Sequence, residues 1–551
     1  DSCYCETCQK LFQDAYGKPI PKEDWTNPLW RDFLEFREDS MARFLADAEK
    51  VVQGIKPNGV VFLNAGSWGP GGWRVARDIQ KMEPHQQFTG AEAFFHHGPN
   101  PGLYECLMAG KYLRASSNPA VVFTHYMNGS WHYRVLDPCE VQLEIIQTLA
   151  SGANPWLALI NSSLKSQPDA AKPVKEIYDF AERNKAWYTN VESAAEVALL
   201  ISSGTGRNYL SFLDGIYDAS NNGKEENLIF TNETHKAANL SAKKGESENL
   251  LTAAYEGYFE LLTRSHVPFD IILDQDLVNG RLGRYKTLIL SDAACLSPDA
   301  ATGIRSFVEQ GGSLMGAFEA GFYDNMGRPS QTLFDVMGIG VCDGAFPVVS
   351  GDNYLEAVEE HWGFSAGSLI ERGPYALKVS AREGVSTPAR FQEAMDRPYE
   401  ALKGLSKYPA ILMKNQGAGK VVYFPEALGT FYGRTHMTSA EQRFEAALDW
   451  LTGERPIQIH APKTLSAEVY RKKDAARSNL VIHLVNNTVD GRPAGEFLPV
   501  YDIKMRLKVP AETAVVTWLS DGEATTSKVE GGYLDIALPK LVKYEVVTVE
   551  Y

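Results

Sequence analysis

The sequence has few cysteines and lacks long hydrophobic runs. Its seven cysteines are scattered over 551 residues, and an odd, dispersed set does not suit the disulfide scaffolds of short secreted domains. No apolar stretch reaches the ~20 residues that cross a bilayer, and the N-terminus lacks the basic and apolar regions of a signal peptide. We therefore expect a soluble protein that contacts no membrane. Its cysteine usage favours the cytoplasm, with a periplasmic or secreted location as the alternative.

Runs of positive charge are also lacking. The formal net charge is −15, and no cluster of Lys and Arg is long enough to follow a phosphate backbone, so nucleic acid is not an expected partner. With 44% hydrophobic and 22% charged residues, the composition is that of an ordinary globular protein. Because one domain usually takes ~100–200 residues, a chain of this length is expected to form about three.

Strands and helices alternate in the first third of the chain. Apolar residues at helical spacing predict a long amphipathic helix over 29–55. Four short apolar runs predict parallel strands, the last three separated by predicted helices over 103–114 and 140–150. The four runs are 59–64, 88–96, 120–126 and 156–161. The alternation predicts that 1–191 is the C-terminal half of a (β/α)8 barrel, in which the chemistry lies at the C-terminal strand ends. A small open doubly wound sheet is the alternative.

Two further regions follow. The segment 192–463 again alternates strands and helices between Gly and Pro, which predicts a flavodoxin-like open sheet. Its polar stretch 219–248 is expected to be a loop or excursion. Over 464–551 the apolar runs shorten and are separated by turns, which predicts a C-terminal all-β domain, a β-sandwich. The predicted fold class is therefore α/β, with an all-β domain at the C-terminus.

Three cysteines lie close together at the start of the chain. Cys3, Cys5 and Cys8 fall within six residues, so their thiolates could occupy three corners of one tetrahedral site, and clustered thiolates favour zinc. The fourth ligand is missing; Cys106, Cys139 and a residue ahead of Asp1 are the candidates. The alternative is three thiols without a metal.

The same segment resembles a known family. The run from Cys3 to Cys8 and the aromatic residues after it are similar to the stretch after barrel strand four in family 42 β-galactosidases and their α-L-fucosidase-like relatives of family 151. Those later residues are Phe12, Tyr16, Trp25 and Trp30. In the middle of the chain 267–272, Tyr285, Lys286, Gly311 and Gly312 resemble the trimerisation domain of that group, which has an amidotransferase-like fold.

The resemblance implies several properties. The cysteines would hold a structural zinc, no cofactor would be needed for catalysis, and the protein would form a homo-oligomer, a trimer or a multiple of one. In the family a catalytic carboxylate lies on strand four, ahead of the cysteine segment. We therefore expect the second catalytic carboxylate upstream of residue 1, and the N-terminal half of the barrel to be absent from this chain.

Glu92 is the candidate catalytic residue in the sequence at hand. Glycoside hydrolysis usually needs two carboxyl groups that flank the scissile bond, and Glu92 ends an apolar run beside aromatic residues. The alternative is a buried structural carboxylate paired with Arg or His. Glu140 and Glu144 are expected on the outer surface of a helix.

Sugar-binding clefts mix aromatic rings with His and Asn, because sugars present C–H faces and hydroxyl groups. Residues of these types follow the predicted strands and are the candidates for substrate binding: Asn64, Trp68, His96, His97, His125, Tyr126, Trp131 and His132. The alternative is that they pack beneath ordinary loops. The expected partner is an oligosaccharide or glycoside substrate.

The expected activity is that of a retaining, exo-acting glycoside hydrolase of α-L-fucosidase type. A family 42 β-galactosidase would carry its nucleophile on strand seven, but the run 121–126 has no carboxylate. The alternatives are a β-galactosidase and a non-catalytic carbohydrate-binding or assembly subunit. Hydrolysis by Cys295 or Cys342 is not expected, since neither has the flanking glycines of a nucleophile elbow.

Overall fold

The computed structural model describes residues 2–64, 68–93, 103–128, 131–159, 165, 167–213, 235–349, 352–489 and 496–551. Within these ranges no helix is both long enough and apolar enough to span a membrane. The statements below refer to these residues.

The helices lie mainly in the first 452 residues. They are α1 Glu6–Tyr16, α2 Pro28–Ile55, α3 Ile79–Met82, α4 Glu105–Leu113, α5 Pro138–Ala150, α6 Ala171–Arg183, α7 Ser203–Asn208, α8 His235–Arg264, α9 Pro298–Glu309, α10 Phe334–Met337, α11 Leu428–Thr435 and α12 Thr438–Thr452. Short 3₁₀ helices lie at Gly69–Val75, Glu83–His85, Pro168–Ala170, Lys185–Trp187, Asp274–Leu277 and Arg281–Arg284.

The strands become denser toward the C-terminus. The first ten are β1 Thr89–Glu92, β2 Ala120–His125, β3 Met127–Asn128, β4 Trp131–Val135, β5 Asn154–Ala158, β6 Val191–Ser193, β7 Val197–Leu200, β8 Phe269–Ile272, β9 Thr287–Leu290 and β10 Ser313–Ala317. The next eight are β11 Ile339–Ala345, β12 Tyr354–Ala357, β13 Leu369–Glu371, β14 Leu377–Ala381, β15 Ala389–Gln392, β16 Leu405–Pro409, β17 Leu412–Gln416 and β18 Gly419–Phe424. The last eight are β19 Ile457–His460, β20 Leu465–Lys472, β21 Asn479–Asn486, β22 Val500–Lys508, β23 Thr513–Trp518, β24 Ala524–Lys528, β25 Tyr533–Leu541 and β26 Tyr544–Glu550.

A parallel sheet forms the N-terminal region. Strands β1, β2 and β5 pair in that order, all parallel, with α4 and α5 in the connections. Helix α5 begins at a capping box between Asp137 and Glu140, with Pro138 at its first position, a combination that fixes a helix start. The parallel strands with intervening helices confirm the predicted α/β class.

One predicted strand does not form. The segment 59–64 belongs to no sheet. Two of its backbone N–H groups donate to side chains and not to a neighbouring strand. The backbone N–H of Val61 donates to Gln87 Oε1 at 2.7 Å, and that of Leu63 donates to Gln86 Oε1 at 3.2 Å. Side-chain amide oxygens just before β1 thus accept hydrogen bonds that a neighbouring strand would accept in a sheet. The prediction was wrong because an apolar run alone does not show where backbone donors find acceptors.

The helix α5 also corrects an expectation. Glu140 and Glu144 were expected on the outer surface, but they are only 2% and 1% exposed. Glu140 is held by the capping box, and Glu144 accepts a hydrogen bond of 2.6 Å from Thr124 Oγ1 of β2. Polar residues on both sides of α5 are buried because the C-terminal sheet covers the side of the helix that faces away from β2.

The central sheet has the strand order β17-β18-β10-β9-β7-β8, with only β17 antiparallel. Apart from that edge strand, the order of the parallel strands is that of flavodoxin-like folds, as predicted. Side chains alternate between two cores. Leu199 and Ile271 pack with α8 and α12 on one face, whereas Leu200 and Ile272 pack with α2 and α9 on the other.

Two features of this central region were not predicted. Helix α8 begins at His235, inside the polar stretch 219–248 that was expected to be a loop or excursion. An antiparallel sheet of order β13-β12-β15-β16 and the pair β11-β14 are inserted between β10 and β17.

The C-terminal region consists of two antiparallel sheets, β19-β22-β25 and β24-β23-β26-β21-β20-β6. Leu465, Ile482, Met505 and Val547 lie in the core between them. Strand β6 precedes the central sheet in the chain but pairs with β20 of this sandwich. The sandwich also contacts the N-terminal region through Lys111 of α4, whose Nζ lies 2.5 Å from Glu468 Oε2.

Candidate active site

The C-terminal end of β1 places Glu92 on an aromatic sheet face. Glu92 is in register with Phe123 of β2, and Phe123 is in register with Trp156 of β5. Because residues in register on parallel strands point to the same side, the three side chains share one face. Glu92 is the last residue of its strand, the position at which α/β folds carry their chemistry.

Glu92 is held by a neighbouring amide. Asn64 Nδ2 donates a hydrogen bond of 2.7 Å to Glu92 Oε1. Among the described residues, the other carboxyl oxygen accepts no hydrogen bond. The structure thus brings two candidates of the sequence analysis, Asn64 and Glu92, into direct contact.

Aromatic rings continue the face below Glu92. Phe62 stacks on Phe88 with ring centroids 4.1 Å apart, and Phe123 lies 4.8 Å from Trp156. Trp156 remains 51% exposed. Sequence reasoning placed Trp156 and Phe123 in strands but did not name them as site residues. The sequence signal for them is the two-residue alternation of strands. Side chains two positions apart point to the same face, so counting back from the strand ends identifies the residues on the face of the site.

His125 lies on the same face as Glu92. It is the last residue of β2 and follows Phe123 by two positions, so both side chains point to the same side of the sheet. Its Nδ1 accepts a hydrogen bond of 3.3 Å from the Met127 backbone N–H. Tyr126 turns the other way: it is 1% exposed and packs against Leu136 and Val141. That position favours a core role for Tyr126.

Of the other candidates for substrate binding, Trp68 is the one whose side chain the structure describes. Trp68 is partly buried, and its ring centroid lies 5.8 Å from that of Tyr112 on α4. Trp131 and His132 begin β4, and their side chains fall outside the description. His96 and His97 lie outside the described residues.

The cysteine cluster surrounds the start of α1. The sulfur atoms of Cys3, Cys5 and Cys8 lie within 4.8 Å of one another. This separation fits three thiolates on one tetrahedral ion, in which neighbouring ligands lie ~4 Å apart at Zn–S bonds of ~2.3 Å. In the described ranges neither Cys106 nor Cys139 belongs to the cluster; both are buried in apolar cores.

The start of the helix changes the acidity of these thiols. The Cys8 backbone N–H, followed by the thiols of Cys3 and Cys8, lowers the pKa of Cys5 to about 7. Burial raises the pKa of Cys8 to about 12. A thiolate at Cys5 is thus favoured by the helix N-terminus, as metal binding requires.

The cysteines of the central region are poor nucleophiles. Burial raises the pKa of Cys295 to about 12 and also raises that of Cys342. Cys295 is 1% exposed and its backbone N–H bonds to Thr205 Oγ1 at 3.0 Å. A thiol that is buried and protonated cannot attack a substrate.

Comparisons with known proteins agree with this architecture. No protein-family model matches the chain. No curated protein sequence matches it. Among solved structures, the α-L-fucosidase isoenzyme 2 from Paenibacillus thiaminolyticus has 16% sequence identity and a TM-score of 0.72, with 100% of this chain and 76% of that chain covered.

Two β-galactosidases are similar in the same way. A GH42 β-galactosidase from G. stearothermophilus has 14% identity and a TM-score of 0.67, with 100% of this chain and 77% of that chain covered. The β-galactosidase from Bacillus circulans sp. alkalophilus has 13% identity and a TM-score of 0.66, with the same coverage. The chain therefore has the fold shared by this α-L-fucosidase and these β-galactosidases.

Proposed function

We propose that the protein is a glycoside hydrolase, retaining and exo-acting, of α-L-fucosidase type, with Glu92 as its general acid/base. The observation that carries the proposal is the position of Glu92 at the end of a parallel strand, on the same face as Phe123 and Trp156. A sugar can stack its C–H face on such rings while a carboxyl group protonates the leaving oxygen. The activities of the α-L-fucosidase and β-galactosidases that share the fold support the same class of reaction.

The hydrogen bond from Asn64 assigns different roles to the two carboxyl oxygens of Glu92. Oε1 accepts from Asn64, which leaves Oε2 to carry the proton to the glycosidic oxygen and later to take one from water. A retaining enzyme needs a second carboxylate as nucleophile, ~5–5.5 Å from the first. The family resemblance places that nucleophile on barrel strand four, ahead of the cysteine segment.

The α-L-fucosidase type is favoured over the β-galactosidase type by strand β2. In the resemblance this strand corresponds to barrel strand seven, where a β-galactosidase of family 42 carries its nucleophile. The strand Ala120–His125 contains no Asp or Glu. Glu92 is therefore the acid/base in this proposal, and the nucleophile belongs to the other half of the site.

The test is the dependence of hydrolysis on the leaving group. In Glu92→Gln the acid is lost, so hydrolysis of α-L-fucosyl oligosaccharides should slow by ~10²–10⁴-fold. Aryl α-L-fucosides with acidic phenols need little protonation and should be slowed far less. The kcat and KM of the natively purified protein and of the variant are measured with both substrates and with the matching β-D-galactosides.

Glu182→Gln is the matched control, because this exposed glutamate on α6 pairs with Lys185 on the protein surface. It should keep the activity on both substrates. Equal losses on both substrates in Glu92→Gln would assign Glu92 a structural role. Hydrolysis of β-galactosides alone would replace the fucosidase assignment, and no hydrolysis of either glycoside would refute the proposal.

A further inference from the structure

A cationic cavity lies where the N-terminal region, the central sheet and the C-terminal sandwich meet. It has a volume of about 210 Å³ and is lined by five cationic and two acidic side chains. The cationic residues lie in or directly after α4, in the 3₁₀ helix Arg281–Arg284 and directly after β20; they are Lys111, Arg114, Arg281, Arg284 and Lys473. Cationic side chains therefore outnumber acidic ones in this lining, although the protein carries a net charge of −15.

Four of these cations have a carboxylate neighbour. Lys111 pairs with Glu468, and Arg281 lies 3.3 Å from Asp276. The other two pairs are looser: Arg284 is 3.6 Å from Asp270 and Lys473 is 3.9 Å from Glu192. Loose, part-exposed pairs of this kind contribute little stability and can exchange partners readily.

Arg114 has no carboxylate within 4 Å among the described residues. Its Nη1 donates to the Gly152 carbonyl oxygen at 3.1 Å, and its guanidinium lies 4.9 Å from the ring centroid of Tyr470. These two contacts orient the guanidinium but do not neutralise it. The remaining N–H groups form the planar fork that suits an oxyanion such as phosphate or sulfate.

A second cavity adjoins the first. It has a volume of about 670 Å³ and shares Ser117 and Arg281 with the cationic cavity. Half of its lining residues are side-chain amides, and the only two acidic side chains in that lining are Glu83 and Asp276. The amides are Gln80, Gln86, Gln87, Asn118, Gln275 and Asn279. Amides donate and accept hydrogen bonds without charge, which suits sugar hydroxyl groups.

Several of these amide groups are not used by the protein. Gln86 Oε1 accepts from Leu63 and Asn118 Nδ2 donates to Glu83 and Gln86. In the described part of the chain, Gln86 Nε2, Asn118 Oδ1 and the Gln275 side-chain amide have no protein partner. Gln86 and Asn118 precede β1 and β2, so this cavity lies at the strand ends opposite to Glu92.

We propose that the two adjoining cavities form one binding site for a saccharide that carries a phosphate or sulfate group. The oxyanion is held by Arg114 with Arg284 and Lys473, and the sugar hydroxyls bind the amides around Gln86 and Gln275. The site is separate from Glu92 and does not depend on hydrolysis. It lies between three sheets, so an occupied site links the parts of the molecule that line it.

Binding is measured by isothermal titration calorimetry on the natively purified protein at fixed ionic strength. The probes are glucose, inorganic phosphate, inorganic sulfate, glucose 6-phosphate and galactose 6-sulfate. We expect one of the two sugar monoesters to bind at least tenfold more tightly than the matching inorganic ion and than glucose. Absence of monoester binding, or equal affinity for the monoester and its inorganic ion, would overturn the proposal.

Variants separate the two ends of the site. Lys473→Gln and Arg114→Gln should weaken the monoester and the inorganic ion together, by about tenfold for Arg114. Gln275→Ala should weaken only the monoester, because its exposed amide faces the hydroxyl end. Arg477→Gln, an exposed arginine outside both cavities, is the matched control and should leave both affinities unchanged.

The Lys473 and Gln275 side chains are exposed, so these variants keep the test valid should Arg114→Gln fail to fold. Binding that survives both Lys473→Gln and Gln275→Ala unchanged would place the ligand elsewhere. Glu92→Gln should bind the monoester normally, so loss of hydrolysis and loss of this binding are distinguished by separate variants.

Discussion

At the scale of single residues, Asp292 is the most unusual carboxyl group of the central sheet. It follows β9 with a φ of 54°, in the left-handed region that few residues other than glycine, Asn and Asp adopt. It is 6% exposed, and its Oδ1 has no hydrogen-bond partner. Burial, followed by the nearby charge of Glu319, raises the pKa of Asp292 to about 8.

This raised pKa predicts a pH dependence of stability. The unfolded pKa is ~3.9, so between about pH 4 and 8 the folded state binds more protons and stability falls as pH rises. Asp292→Asn cannot ionise and tolerates the same backbone region. We expect its gain in unfolding free energy over the parent protein to be larger at pH 8 than at pH 5 by at least ~1 kcal/mol.

Urea unfolding at both pH values measures this difference. Asp299→Asn is the control, because Asp299 is exposed on the first turn of α9, and its effect should be the same at both pH values. A gain of Asp292→Asn that does not change between pH 5 and pH 8 would contradict the raised pKa.

At the scale of elements, the local sequence pattern predicted most helices and parallel strands. It did not predict those that depend on contacts with residues far away in the chain. Helix α9 and strands β2 and β9 carry their own signals, namely caps and apolar runs. Helix α8 was predicted only from Leu250 onward, because from there Tyr255 and Phe259 pack in the core, whereas the preceding part has no apolar stripe. The contact of Asn64 with Glu92 joins residues 28 positions apart, and no local pattern encodes it.

The start of α1 carries a prediction about metal. We propose that Cys3, Cys5 and Cys8 hold a structural zinc ion, since their sulfur atoms already lie within 4.8 Å of one another. Metal analysis should find about one zinc per chain. Cys5→Ser should lose the zinc and lower the Tm by several degrees, because binding energy at a structural site is folding energy.

Cys342→Ser is the control for this metal site. Its sulfur lies in β11, far along the chain from the cluster, and contacts the Gly344 carbonyl oxygen at 3.6 Å. The variant should keep the zinc content of the parent protein even if its stability changes. Metal-free parent protein, or Cys5→Ser with unchanged zinc and Tm, would refute the zinc site.

At the scale of the whole molecule, the contacts between sheets are those that the sequence could not predict. Lys111 and Glu468 are 357 residues apart and both are about 5% exposed, yet they form an ion pair. Because they are so far apart in the chain, no periodic pattern in the sequence links them. The residues that line the cavity between the three sheets are likewise not linked by any such pattern. Charge and amide composition became informative only once the fold had brought the residues together.

The inserted antiparallel sheet carries the last prediction, which concerns assembly. Exposed apolar side chains are frequent in and beside this sheet; they are Val341, Val358, Leu369, Tyr399, Leu402 and Leu405. We propose that these exposed side chains contribute to a protein interface, since exposed apolar surface commonly marks one. Together with the resemblance of the central region to a trimerisation domain, this surface leads us to propose a trimer with cyclic symmetry.

Light scattering after size exclusion should therefore give about three times the chain mass of 61.0 kDa, or a multiple of that. Leu405→Asp places a charge in the proposed interface, and burying an unpaired charge is strongly unfavourable, so it should shift the protein toward monomers. Leu498→Asp is the matched control, since Leu498 is 57% exposed in the C-terminal region, and should leave the mass unchanged. A parent protein that is monomeric at micromolar concentration would rule out the trimer, and an unchanged trimer in Leu405→Asp would move the interface to another face.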